Sequence, residues 1–130
     1  INILILPGNT DVFMTAKIFN EKPAFLNFFI KNTGKNSIFN GQIIAQNYNS
    51  LKIDVNADHF CENTGIFVKT KVLAFENTET NLSGCARIEN NASGSDSDVS
   101  FSVMAVDESA KIIMKPTQYI KSIPKQQLVL

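Results

Sequence analysis

Apolar and polar residues alternate with a period of two along most of this chain. Leu51, Ile53 and Val55 are apolar with Lys52 and Asp54 between them. Val68, Thr70, Val72 and Ala74 alternate with Phe67, Lys69, Lys71, Leu73 and Phe75. Successive side chains of a strand point to opposite faces, so this pattern predicts strands with one buried and one wet face. The same alternation sets Leu82, Gly84, Ala86 and Ile88 against Ser83, Cys85 and Arg87, and Val99, Phe101, Val103 and Ala105 against Ser100, Ser102, Met104 and Val106. Over 24–31 both sets are apolar for much of the length, which predicts a central strand covered on both sides. Residues 1–6, 12–19, 37–45 and 110–115 complete the strand candidates, with Gly41 as a bulge or bend. β-branched residues and alternating lysines argue against a helix over 105–114.

Turn signals separate these runs. Pro7-Gly8-Asn9 and Asn20 to Pro23 break the chain, Asn32 to Asn36 reads as a hairpin loop, and Glu76 to Thr80 as the turn of a second hairpin. Asn90 to Asp98 is small and polar and reads as a mobile loop. Pro116 and Pro124 bracket an irregular tail over 116–130, in which Gln126 to Leu130 is a candidate edge strand. No long internal repeat stands out. Eight or nine short strands at this spacing predict an all-β fold, a small antiparallel barrel or sandwich, in one domain over 1–130.

Composition narrows the function. Acidic and basic residues number 12 each and Arg87 is the one arginine, so a nucleic-acid surface is disfavoured. Ten Phe without Trp indicate core filling. No run approaches the ~20 apolar residues of a membrane span. The chain opens directly in strand-like sequence, which reads as a start from which a leader, with any lipid anchor, has been removed. Cys61 and Cys85 allow a single pairing, and closing that loop would stabilise the fold by roughly 3–3.5 kcal/mol; two separate thiols are the alternative. A bridge would imply an oxidising compartment. With His59 as the one histidine, a tetrahedral zinc site lacks ligands.

Catalytic patterns are missing: a nucleophile–base pair would have to use His59, and no phosphate-cradling glycine loop occurs. Asp96, Asp98, Asp107 and Glu108 could meet as a calcium site, but the alternate-residue ligand spacing with a closing Glu is lacking, so a solvated acidic loop is the better reading. The chain therefore reads as a non-enzyme without cofactor or metal.

The stretch around the cysteines resembles a family of small bacterial envelope proteins, often lipoproteins. Leu82-Ser83-Gly84-Cys85-Ala86-Arg87 is similar to the family's Leu-x-Gly-Cys-Ala ending, Cys61 to Ile66 to its first cysteine motif, and Asn20 to Phe25 to a degenerate form of its opening motif. The resemblance covers about residues 12 to 90. It implies a β-rich domain of the bacterial periplasm or outer membrane with a Cys61–Cys85 bridge; secretion or the cell surface is the alternative. By fold analogy, envelope barrels of this size include lysozyme inhibitors. The expected function is then a binding or inhibitory module with a protein partner in the envelope or host, such as a lysozyme-like glycosidase. Ser93, Asp96 and Asp98, with Asp107 and Glu108 nearby in sequence, are the candidate contacts, since acidic loops speed encounter with a cationic enzyme. Alternatives are a barrel enclosing a small apolar ligand and a structural protein that pairs through an edge strand.

Overall fold

The computed structural model describes residues 1–5 and 7–120. Nine strands form: β1 (Asn2–Ile5), β2 (Asp11–Asn20), β3 (Ala24–Asn32), β4 (Ile38–Asn47), β5 (Ser50–His59), β6 (Gly65–Ala74), β7 (Glu79–Ile88), β8 (Asp96–Ala105) and β9 (Lys111–Ile120). No helix occurs among the described residues, and so none long and apolar enough to cross a membrane.

The antiparallel barrel or sandwich expected from the alternation does not form. Odd strands make one five-stranded sheet in the order β1-β3-β5-β7-β9, even strands a four-stranded sheet in the order β2-β4-β6-β8, and every pairing is parallel. The chain winds as a β-solenoid of about four turns. Each corner carries it to the opposite sheet, so a strand's neighbour arrives one full coil later and runs in the same direction. A parallel pair needs a crossover of a dozen or more residues, and the intervening strand of the other sheet supplies it. One coil is 27 residues at first (Asp11 to Ile38, Ile38 to Gly65) and lengthens to 32 (Glu79 to Lys111). The two expected hairpin turns are therefore corners between sheets.

Side chains at alternate positions close the space between the sheets. Phe28, Ile30, Phe39, Ile43, Leu51 and Ile53 are each at most 1% exposed. Gly84 lies on this inner face, where Phe101 Cζ comes within 2.9 Å of the place a Cβ would occupy. Gly41 is no bulge: β4 keeps an unbroken register on both sides, and the Phe39 ring fills the space beside it. The second face of β3 is an outer face, with Phe25 and Phe29 54% and 41% exposed. Phe25 is capped instead by Lys52, whose Nζ lies 4.9 Å from the ring centre.

Polar ladders fix the corners. After each odd strand of the first four coils comes a residue with positive φ, namely Asn9, Asn36, Asn63 and Gly94. Asparagine and glycine tolerate this conformation best. The amides of Asn9, Asn36 and Asn63 donate to the next coil, at Lys35 O, Glu62 O and Ser93 O. The following residues are Thr10, Ser37, Thr64 and Ser95. Ser37 Oγ accepts from Thr10 N and donates to Pro7 O, and Ser95 Oγ accepts from Thr64 N. At the opposite corner Asn20 Nδ2 donates to Asn47 Oδ1 at 2.9 Å, and Asn47 Nδ2 to Glu79 O and Thr80 Oγ1.

Three further expectations change. Residues 90–98 form a packed corner leading into β8, with Ala92, Ser95 and Ser97 buried. The tail is strand as far as Ile120; Pro116 is accommodated because β9 pairs with β7 alone among the described residues. Gln126 to Leu130 lies outside the described residues. The Cys61–Cys85 bridge is absent, and both thiols are free. Cys85 stands beside Asn56 in register, on the outer face, while Cys61 follows five residues after Asn56 in the corner. At about 3.3 Å per residue that displacement far exceeds the ~4.4–6.8 Å between bridged Cα atoms. Reductant should accordingly leave the melting temperature unchanged, and Cys61→Ser with Cys85→Ser should stay within about 0.5 kcal/mol of the parent. A reductant-dependent drop in melting temperature would restore the bridge.

Candidate functional site

In-register parallel stacking lines up outward side chains in columns, one residue per coil, about 4.8 Å apart. On the four-stranded sheet these columns are Phe13–Asn40–Phe67–Asp98, Thr15–Gln42–Lys69–Ser100, Lys17–Ile44–Lys71–Ser102 and Phe19–Gln46–Leu73–Met104. Phe13, Met104 and Phe19 are 77%, 69% and 60% exposed, and Ile44 is exposed beside them. Large apolar side chains this exposed mark an interaction surface; the other sheet's outer face also exposes Leu4, Phe25, Phe29 and Ile113. Between the columns lie shallow depressions. One of about 370 Å³ is bounded by Phe13, Asn40 and Phe67, and another of about 410 Å³ by Ile44, Leu73 and Met104. The face continues round the corner into an aromatic stack, with Tyr48 4.9 Å from Phe19 and 4.0 Å from Phe75 between ring centres.

Charge is segregated along this face, with lysines towards the Tyr48 corner and aspartates towards the opposite end of the strands. Lys17, Lys69 and Lys71 are exposed, and none is paired with a carboxylate among the described residues. Acids occur only along the margin, at Asp11, Asp96 and Asp98. The outer face of the five-stranded sheet instead mixes both signs within its columns. Its columns include Asn27–Asp54–Ser83–Lys115 and Lys31–Asp58–Arg87. Ser83 Oγ donates to Asp54 there. Burial raises the Asp58 carboxyl above its ordinary range, with Arg87 pulling the other way.

The five residues singled out from sequence do not form one site. Ser93 sits at the corner before β8, Asp96 opens the strand and Asp98 lies two residues further along it. Asp107 and Glu108 lie beyond its other end, a ten-residue strand away, roughly 33 Å along the sheet. Asp107 is occupied locally: its carboxylate accepts the Ser109 amide at 2.9 Å, and hydrogen bonds from Ser109 lower its pKa. The calcium arrangement weighed for these acids is therefore not assembled.

His59 does not flank a bridge. It ends β5 on the inner face, fully buried, with Nδ1 2.8 Å from Thr64 Oγ1 and Nε2 without a partner among the described residues. Thr64 and Ser95 hydroxyls lie 2.9 Å apart, and both reach Cys61 O at 3.2 Å. Burial lowers the imidazole to about 4, against a weaker raising contribution from a hydrogen bond to Thr64. The ring is thus a neutral, buried member of a corner network with the Thr64 and Ser95 hydroxyls.

Comparison with family models, with curated proteins and with solved structures found no match. The lysine and apolar columns were not singled out from sequence, although the alternation marked Lys69 and Lys71 as a wet face. Their signal is the 27-residue spacing of Lys17, Ile44 and Lys71, which acquires meaning only once the coil length is known.

Proposed function

We propose that the protein is a non-enzymatic binding scaffold, a rigid solenoid that presents the outer face of its four-stranded sheet to a protein partner. The observation that carries this reading is the exposure of Phe19, Ile44 and Met104 beside Lys17, Lys69 and Lys71 on one hydrogen-bonded sheet face. Removing such a patch from water supplies about 25 cal/mol per Å² of apolar area. A filled interior favours this over the apolar-ligand carrier, which needs a hollow barrel: Phe28, Phe39, Ile43, Ile53 and Val55 between the sheets are at most 1% exposed. The free thiols give no argument for an oxidising compartment, so the partner is sought without reference to one.

The test is a photo-cross-linking residue placed singly at Gln46, on the proposed face, and at Thr117, on the other sheet's outer face. Discrete adducts from position 46 and none from 117 are expected in the producing cells. No adduct from 46, or the same adducts from both, would reject the reading.

A further inference from the structure

The proposed face carries a charge pattern that specifies its occupant. Four strands about 4.8 Å apart make a surface roughly 14 Å wide, and ten residues make it about 33 Å long. An α-helix with its side chains is ~10–12 Å in diameter. The face is therefore one helix wide. Its apolar residues Phe19, Ile44, Leu73 and Met104 surround Gln46 in the half towards the Tyr48 corner, and Lys17, Lys69 and Lys71 stand among and beside them. Column order places Ile44 between Lys17 and Lys71. A ligand that covers Ile44 brings its flanks over both ammonium groups.

Resting on the scaffold reading above, we infer that the occupant is an amphipathic helix of a partner protein whose apolar stripe is bordered by Asp and Glu. Its carboxylates pair with Lys17, Lys69 and Lys71, and its apolar side chains enter the depressions beside Ile44 and Met104. A lysine-bordered helix meets unpaired ammonium groups and is rejected, which is how like-charge contacts set specificity. An anionic membrane is the less favoured occupant. The apolar groups border separate depressions that take individual side chains rather than a bilayer surface.

The experiment uses the full chain and three defined probes. One is a labelled peptide of about five helical turns with Leu at i, i+3, i+4 and i+7 and Glu on the borders. The second is the same peptide with Lys for Glu, and the third is vesicles of phosphatidylserine and phosphatidylcholine. Fluorescence anisotropy should show the Glu peptide binding about tenfold or more tightly than the Lys peptide, the preference shrinking as salt screens it. Lys17→Glu with Lys71→Glu should remove or invert the preference. Lys17→Gln with Lys71→Gln should abolish it without adding charge, should the reversal impair folding. Lys115→Gln, on the other outer face, should leave it intact. Equal binding of both peptides, failure of both to bind, or binding to vesicles alone would overturn the acidic-helix inference. Adducts from position 46 would still stand in those cases, so the scaffold reading fails separately.

Discussion

Replacing Asn47 by alanine should lower folding stability by about 3–4 kcal/mol, a large share of the ~5–15 kcal/mol that holds a domain together. Asn47 is fully buried at the corner between β4 and β5. It accepts from Asn20 Nδ2 and the Asn49 amide, and donates to Glu79 O and Thr80 Oγ1. One side chain thus joins three successive coils. Each bond contributes only about 1 kcal/mol net, but truncation also strands buried partners away from water, and that asymmetry sets the size of the effect. Asn47→Asp should cost a similar amount, because it keeps the acceptor and loses both donors. Urea unfolding midpoints measure this. A loss under about 1 kcal/mol in both variants would mean that the asparagine ladder does not clasp the coils.

Acid should weaken the fold through His59. Its pKa is 6.5 when unfolded and about 4 in the folded chain, because burial disfavours the imidazolium. Between these values the unfolded chain binds a proton that the native chain does not, so stability rises with pH across that window. The contribution is fully present above about pH 6.5 and is lost progressively on acidification to about pH 4. It totals roughly 3 kcal/mol at 1.36 kcal/mol per pH unit. The raised pKa of Asp58 acts in the opposite sense, since the native chain takes up its proton first as pH falls. His59→Asn isolates the histidine: the column already holds Asn32 one coil earlier, and asparagine does not titrate. Stability measured from pH 7.5 to 4.5 should flatten in that variant. An unchanged slope would show that the imidazole is not the titrating group.

Individual strands were legible in the sequence, and their arrangement was not. The buried sets Leu51, Ile53, Val55 and Val68, Thr70, Val72, Ala74 follow directly from alternation, because the pleat imposes a period of two whatever the neighbouring strand is. Alternation says nothing about the direction of that neighbour. Glu76 to Thr80 and Asn32 to Asn36 are turns, but a turn that reverses a chain within a sheet and one that passes it to a second sheet use the same residues. The distinguishing signal was periodic: Asn9-Thr10, Asn36-Ser37 and Asn63-Thr64, at intervals of one coil, with Gly94-Ser95 after a longer one. Such ladders identify a solenoid, since each coil stacks only on its neighbours. A repeat carried by two short polar residues in 27 is faint beside hydrophobic positions that vary freely in identity. The binding face was harder still to see, because Lys17, Ile44 and Lys71 are neighbours only after the chain has coiled. The acidic residues around β8 are near one another in sequence, but the extended strand between them holds its two ends apart.

Everything proposed for the face depends on residues one coil apart standing side by side. Solution NMR on isotope-labelled protein tests this directly through inter-strand contacts between backbone protons. The parallel register requires contacts linking Lys17 to Ile44 and Ile44 to Lys71. Contacts pairing β6 with β7 across the Glu76 to Thr80 turn, in antiparallel order and without the one-coil set, would replace the solenoid by a hairpin and dissolve the face with it.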